Sequence, residues 1–312
     1  MTGHIGEILA LLSAVSCTAT ALYASEASKK LGTMTVNAFR LVLAVMFLAA
    51  LLWITTGSPF PSYADGKTWL FLTLSALVGY VFGDWCLFNS YLVIGPKIGQ
   101  LFMTLSPPIA ALAGWLMLGE TLTLRAWIAM SVTICGIAIS ILGKDEENHV
   151  RLSIPLKGIL LGIGAGLGQG IGLVLSKIGM EHYAMAIPAD APIAMDEMMP
   201  FASTMIRAII GGAGFLAIMT LQKDISSFRA AFKDRAGMKY AIMTTLSGPV
   251  LGVSLSLMSV RYTDTGIAST LMALTPVLII IPYSLIYKKR ISLKELAGVT
   301  VSMIGVAIFF MK

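Results

Sequence analysis

The sequence predicts an all-α integral membrane protein with ten transmembrane helices, arranged as two inverted five-helix repeats. Three observations predict it. Of the 312 residues, 57% are hydrophobic and only 12% are charged. The charged residues collect between apolar runs of about 20 residues, the length a helix needs to cross roughly 30 Å of hydrocarbon. The chain is also written twice. A shift of 169, the interval from Pro107 to Pro276, lays Gly79 on Gly248, Gly83 on Gly252, Met103 on Met272, Leu105 on Leu274, Leu116 on Leu285, Gly136 on Gly305 and Ala138 on Ala307. Internal duplication of a spanning unit is a mark of many transporter folds.

Taken in order, the apolar runs predict helices over 5–24, 35–55, 68–92, 96–118, 123–142, 157–178, 201–221, 238–260, 266–286 and 292–311. The short breaks at Gly95-Pro96 and Gly119 to Thr123 tie the third, fourth and fifth into an antiparallel group. The polar stretch from Gly143, with Asp145, Glu146, Glu147 and Pro155, reads as a linker, so residues 1–142 form the first repeat, 143–156 the linker and 157–312 the second. Five helices per repeat is odd, so the second repeat enters from the opposite face and the repeats are inverted. Arg40 and Arg207 each lie about two turns inside the second helix of a repeat, near opposite faces on this topology. Snorkelling of each to its nearer interface is preferred over a role in substrate binding.

The sixth run carries two overlapping ladders, Gly162-Gly166-Gly170 and Gly164-Gly168-Gly172. Small residues at that spacing let neighbouring backbones approach; no GxGxxG register is completed. Residues 179–200, with Pro188, Pro192 and Pro200, are too broken to span and suit an outer cap. Residues 222–239 put Ile225, Phe228 and Phe232 on one helical face among basic residues, an amphipathic segment suited to an anionic membrane surface. On this topology five Lys and Arg fall on the side holding both termini and fifteen on the other. The positive-inside rule then places the termini outside the cytoplasm.

Composition and motifs exclude several classes. Cys17, Cys86 and Cys135 lie inside apolar runs as small hydrophobes, and His4, His149 and His182 make no metal-ligand spacing, so no metal or other cofactor is expected. The net charge of +6 is explained by loop topology rather than by nucleic acid. No basic n-region marks the first run as a cleaved signal peptide. An intramembrane enzyme would need a nucleophile with its base or a metal set, and none is spaced for it. No GxxxxGK[ST] for ATP is present, so movement of a small-molecule substrate would be driven by a gradient, protons being one candidate.

Asp84 is the only acid deep inside a span, and a charge at that depth is functional by default. It reads as a coupling group that binds and releases a proton, against a structural acid hydrogen-bonded to a neighbouring helix. Candidate binding groups at similar depth are Thr18, Gln100, Thr104, Gln169, Ser254 and Thr270, with Ser16 beside them; Thr18 and Gln169 fall at equivalent positions of the repeats. Isolated Ser and Thr in spans usually satisfy a backbone carbonyl instead. Tyr80, Trp85 and Tyr91 could line an apolar pocket or anchor at an interface. Pro107 and Pro276 withhold backbone donors, which would kink their helices or turn freed carbonyls to a cavity.

Leu105-Ser106-Pro107, then Leu118-Gly119-Glu120-Thr121-Leu122-Thr123, then Gly136, resembles the signature of the EamA family of ten-helix exporters in the drug/metabolite transporter superfamily. The second copy keeps Leu274-Thr275-Pro276 and Gly305 but has Lys288-Lys289-Arg290 where Gly-Glu would stand, which leaves Glu120 no matching partner. The resemblance covers the chain. It implies a central cavity between inverted repeats, alternating access, and export of amino acids, metabolites or drugs from a cell in whose membrane the protein is multi-pass. It also implies cytoplasmic termini, opposite to the charge count, which is kept here.

Overall fold

The computed structural model describes residues 5–119, 123–144, 150–152, 154–262, 271–272, 274–288 and 292–310. Long apolar helices dominate, because a backbone in hydrocarbon must satisfy its own hydrogen bonds. Helices α1 (Ile5–Leu31) and α2 (Thr33–Thr56) meet at Gly32, whose φ of 79° is a conformation glycine adopts freely. Helix α3 (Gly66–Ser75) is capped by Asp65, then widens into a π segment over Ala76–Asp84 and continues as α4 (Trp85–Phe102). Within α4, Gly95 has φ 78° and ψ 159°, and the chain folds back there. Gln100 Nε2 donates to the Tyr91 hydroxyl at 2.6 Å, whereas nine residues of straight helix would separate their backbones by about 13 Å.

A 3₁₀ turn over Met103–Leu105 leads into α5 (Ser106–Leu118), followed by α6 (Leu124–Ile141). The stretch expected as a plain linker instead holds two strands, β1 (Leu142–Lys144) and β2 (Val150–Leu152), paired antiparallel with Gly143 opposite Arg151. Helix α7 (Leu156–Ala186) runs eight residues past its expected end, so that 179–186 of the stretch expected as a broken outer cap are regular helix, and the short α8 (Ile193–Glu197) lies in the rest of it. Then come α9 (Met199–Leu221), α10 (Ile225–Ala231) and α11 (Arg235–Thr245). A second π segment over Leu246–Val253 leads to α12 (Ser254–Tyr262), with α13 (Thr275–Leu278), α14 (Ile280–Tyr287) and α15 (Leu293–Phe310) closing the chain.

Among the described residues six helical stretches are long and apolar enough to cross a membrane, and the 52-residue stretch Gly66–Met117 contains the Gly95 fold-back. Three shorter apolar helices accompany them. Large apolar side chains such as Ile54, Leu116 and Leu124 are exposed on the outside, as a lipid-facing surface requires.

Three packing contacts position the interior. The two glycine ladders of α7 face two different neighbours. A methyl added to Gly162, Gly166 or Gly170 would strike Phe102, Leu105 or Ile109, while one on Gly164, Gly168 or Gly172 would meet Cys86, Gly83 or Gly79. Helix α1 packs correspondingly on the second π segment and α12. Helix α6 crosses α15 at Gly136 and Gly305, where Gly136 abuts the Ser302 backbone and Gly305 the Thr133 backbone. The Ser302 hydroxyl donates to the Thr133 carbonyl at 3.2 Å. On α10, Ile225 and Phe228 pack into the core around Leu41 and Phe215, so two of the three residues expected on a membrane-binding face are held by protein.

Candidate functional site

Wherever a helix widens to π geometry, an extra residue per turn loosens the backbone ladder, and such segments recur at functional sites. Here the two π segments fall at the same register: residues 77–84 of the first lie 169 positions before 246–253 of the second. In the second, Pro249 supplies no N–H, which removes one rung of the regular α ladder. Carbonyls of both segments take side-chain donors from the helix packed on them. Gln169 Nε2 of α7 donates to the Gly79 carbonyl at 3.2 Å. From α1, Ser16 donates to the Ser247 carbonyl and Ser13 to the Gly252 carbonyl, each at 2.8 Å.

The first π segment ends on Asp84, which is 5% exposed and eleven residues, about 16 Å of helix, before the Gly95 fold-back. Its Oδ2 accepts from Arg40 Nη2 of α2 in a buried ion pair, and its Oδ1 accepts from Gln169 Nε2 at 2.8 Å. Asn37, one turn before Arg40, accepts from Arg40 Nε at 3.0 Å and itself donates to the Thr33 carbonyl. Arg40 also lies 4.8 Å from the Phe88 ring centroid. Arg207 of α9 comes to the same place: its guanidinium stands 4.4 Å from the Tyr80 ring centroid, which Arg40 flanks at 5.7 Å. Both arginines are 4% exposed. The expected snorkelling to opposite faces is thus overturned, because a carboxylate and an aromatic ring in the protein interior give the guanidinium groups better partners than the interface does. Formally the cluster holds two positive charges and one negative.

Of the candidates read from sequence, Asp84, Gln169 and Tyr80 come together. Gln100 is one layer away, hydrogen-bonded to Tyr91, which stacks on Phe88. Thr18, Thr104 and Ser254 are buried but turn to backbone carbonyls about one turn earlier in the chain, Ala14, Leu101 and Pro249, at 2.9, 2.7 and 3.3 Å. Trp85 points away, 36% exposed beside a shallow outer hollow of about 440 Å³ that it lines with Phe82, Cys86 and Lys157. Adjacent helical residues face about 100° apart, so Trp85 cannot share the face of Asp84. Pro107 and Pro276 stand in the first turns of α5 and α13, where a missing N–H is tolerated; neither breaks the interior of a regular α segment. Thr270 and Glu120 lie outside the described residues. Sequence reading missed Arg40, Asn37 and Arg207 as a cluster, although the matched depth of the two arginines and the single deep acid were the signal. Among the described residues no group of three metal-ligating side chains occurs.

The chain is similar to known proteins. A crystal structure described only as that of a protein superposes with a TM-score of 0.58 over 98% of this chain and 95% of its own, at 14% identity, and so shares the fold. A Sinorhizobium protein named "uncharacterized transporter in cobO 3'region" is 31% identical over 132 residues, 42% of this chain and 92% of its own length. The sequence profile of the EamA-like transporter family matches residues 4–142 and 190–311, and with the apolar helices this makes the chain a multi-pass cell membrane protein belonging to the EamA-like transporter family.

Proposed function

We propose that the protein is a secondary transporter, working as an exporter of small organic solutes, in which two inverted five-helix halves of a ten-helix bundle rock about a site at mid-depth. Residues 1–142 and 157–312 are the halves. The observation that carries this reading is the buried Asp84, Arg40, Arg207 and Gln169 cluster. It is built from helices of both halves, on a π segment that recurs in register in the second half. The pseudo-equivalent contacts of Gly136 with Ser302 and of Gly305 with Thr133, each residue matched to its counterpart by the same shift of 169, support a twofold relation in the plane of the membrane.

Coupling falls to Asp84. With Arg40 of its own half in contact and Gln169 and Arg207 of the other half beside it, the carboxylate is ionised; when the halves part, Gln169 and Arg207 withdraw and it takes a proton, and their return expels the proton to the other side. A second reading, an uncoupled facilitator or exchanger, is favoured by the completeness of the same ion pair, which balances the carboxylate without a proton.

Purified protein in proteoliposomes, loaded with a mixed metabolite pool and assayed by mass spectrometry with and without a proton gradient, tests both. Gradient-driven depletion of particular solutes is expected. Asp84→Asn should abolish the gradient dependence while leaving exchange, and Asp84→Glu should retain it. Because Asp84→Asn leaves Arg40 buried beside a neutral group, a loss of about 3–5 kcal/mol of stability is expected too. Full gradient-driven transport by Asp84→Asn puts the facilitator reading ahead, and no flux of any solute rejects transport.

A further inference from the structure

Two buried hydrogen-bond donors in the cluster have nothing to donate to. Among the described residues, Arg207 Nε and the Tyr80 hydroxyl are both enclosed and without a hydrogen-bond partner, and the two side chains are in contact. The Tyr80 ring is 2% exposed. An unpaired buried donor is costly, and one on a charged group more so, so two on touching residues mark a place where an acceptor belongs.

The duplication says what kind of acceptor. Arg40 and Arg207 enter the interior from the second helix of each half and approach glycines of the opposite half: Arg207 Nη2 lies against Gly79, and Arg40 Nη1 against Gly248, its counterpart 169 residues on. Arg40 has a carboxylate of the protein, Asp84. The residue 169 positions after Asp84 is Val253, so the second half supplies Arg207 no carboxylate at the matching position. Two guanidinium groups and one carboxylate leave the enclosed cluster one positive charge in excess, and a single anionic oxygen acid would neutralise it.

We propose that Arg207, with the Tyr80 hydroxyl, binds the carboxylate of a small organic monoanion, and that such monoanions are the solutes carried. The inference rests on the transporter reading above and names its substrate class. The guanidinium fork matches a carboxylate in two parallel hydrogen bonds. A dianion would overshoot neutrality, a neutral solute would leave the excess charge in place, and a cation would add to it. The cluster is enclosed on all sides, so the carboxylate enters when the halves part.

The test measures the melting temperature of detergent-solubilised protein with acetate, lactate, benzoate and phenylacetate, each beside its neutral amide. At least one carboxylate should raise the midpoint while its amide does not. Arg207→Gln should weaken that carboxylate about tenfold or more. Arg207→Lys should keep part of the response, having the charge without the fork, and Tyr80→Phe should weaken it with no change in charge. Equal responses to acid and amide, no response to any acid, or a full response in Arg207→Gln overturns the proposal. Where Arg207→Gln does not fold, the acid-amide comparison on the parent and the Tyr80→Phe response decide. Flux separates this from the broader reading. A carboxylate that binds yet never crosses proteoliposomes refutes transport and leaves the site, whereas neutral solutes that cross and are the only ones to shift the melt refute the site and leave transport.

Discussion

Asp65 closes the first turn of α3, and it shows how a single residue outside the membrane sets the start of a span. The Thr68 side chain and then the Thr68 backbone N–H, which donates to Asp65 Oδ1 at 2.8 Å, hold its carboxyl below the usual carboxylate range. A depressed folded value means the cap contributes fully above the carboxyl's ordinary unfolded value and loses its contribution as pH falls through the lowered folded one. Amide exchange at Thr68 should therefore stay slow down to the ordinary carboxylate range and rise below it. Asp65→Asn, which still caps but does not titrate, should flatten that acid dependence. Identical profiles for parent and variant would mean that the cap does not govern the fraying of this turn. At the same scale, the pairing of Arg40 with Asp84 was not legible in the sequence, since depth along a helix can be counted from its ends but the direction a side chain faces depends on which neighbour packs there. Tyr80 and Asp84 could have been put on one face from their spacing of four; Trp85, one residue on, could have been excluded by the same reasoning.

Among the elements, α7 is the one whose sequence said most. Six glycines at alternate positions mark a helix approached closely on two sides, and the structure assigns each four-residue ladder its own neighbour. What the glycines could not announce was the π geometry of the helix packed against one of them. An inserted residue per turn leaves no compositional trace in the first segment, and only Pro249 marks the second. Gly166 provides the element's test. A Cβ there would lie 2.9 Å from the Leu105 Cβ and 3.2 Å from the Phe102 carbonyl, a backbone atom that cannot swing aside, so Gly166→Leu must push the end of α4 and the 3₁₀ turn after it away from α7. Overpacking of this kind costs typically about 1–3 kcal/mol. The thermal midpoint in detergent should fall, and transport should fall with it. A variant as stable as the parent would mean that the 3₁₀ turn Met103–Leu105 yields without cost and that close approach is not what this ladder secures.

Across the whole molecule, the bilayer makes the fold legible, because apolar runs and their polar breaks are dictated by lipid before any tertiary contact forms. The short strands β1 and β2 were not legible, lying in a polar stretch whose composition reads as loop. Nor did the runs fix the orientation in the membrane, which depends on charge outside the core. If five Lys and Arg lie on the side of the termini and fifteen on the other, including Lys223, Arg229, Lys233, Arg235 and Lys239 from the end of α9 into the start of α11, the basic side faces the cytoplasm. Anionic lipid on that leaflet attracts such a segment by about 1 kcal/mol for each residue near the surface, and α10 holds part of it against the protein through Ile225 and Phe228. A phosphatase fused after Lys312, active only outside the cytoplasm, should then be active, and a fluorescent protein that matures only inside should stay dark at the same position. Replacing these five basic residues by Gln weakens the bias and should yield a mixed population of the two orientations. A dark phosphatase and a bright fluorescent protein on the parent would place the termini in the cytoplasm and invert the direction assigned to every step of transport.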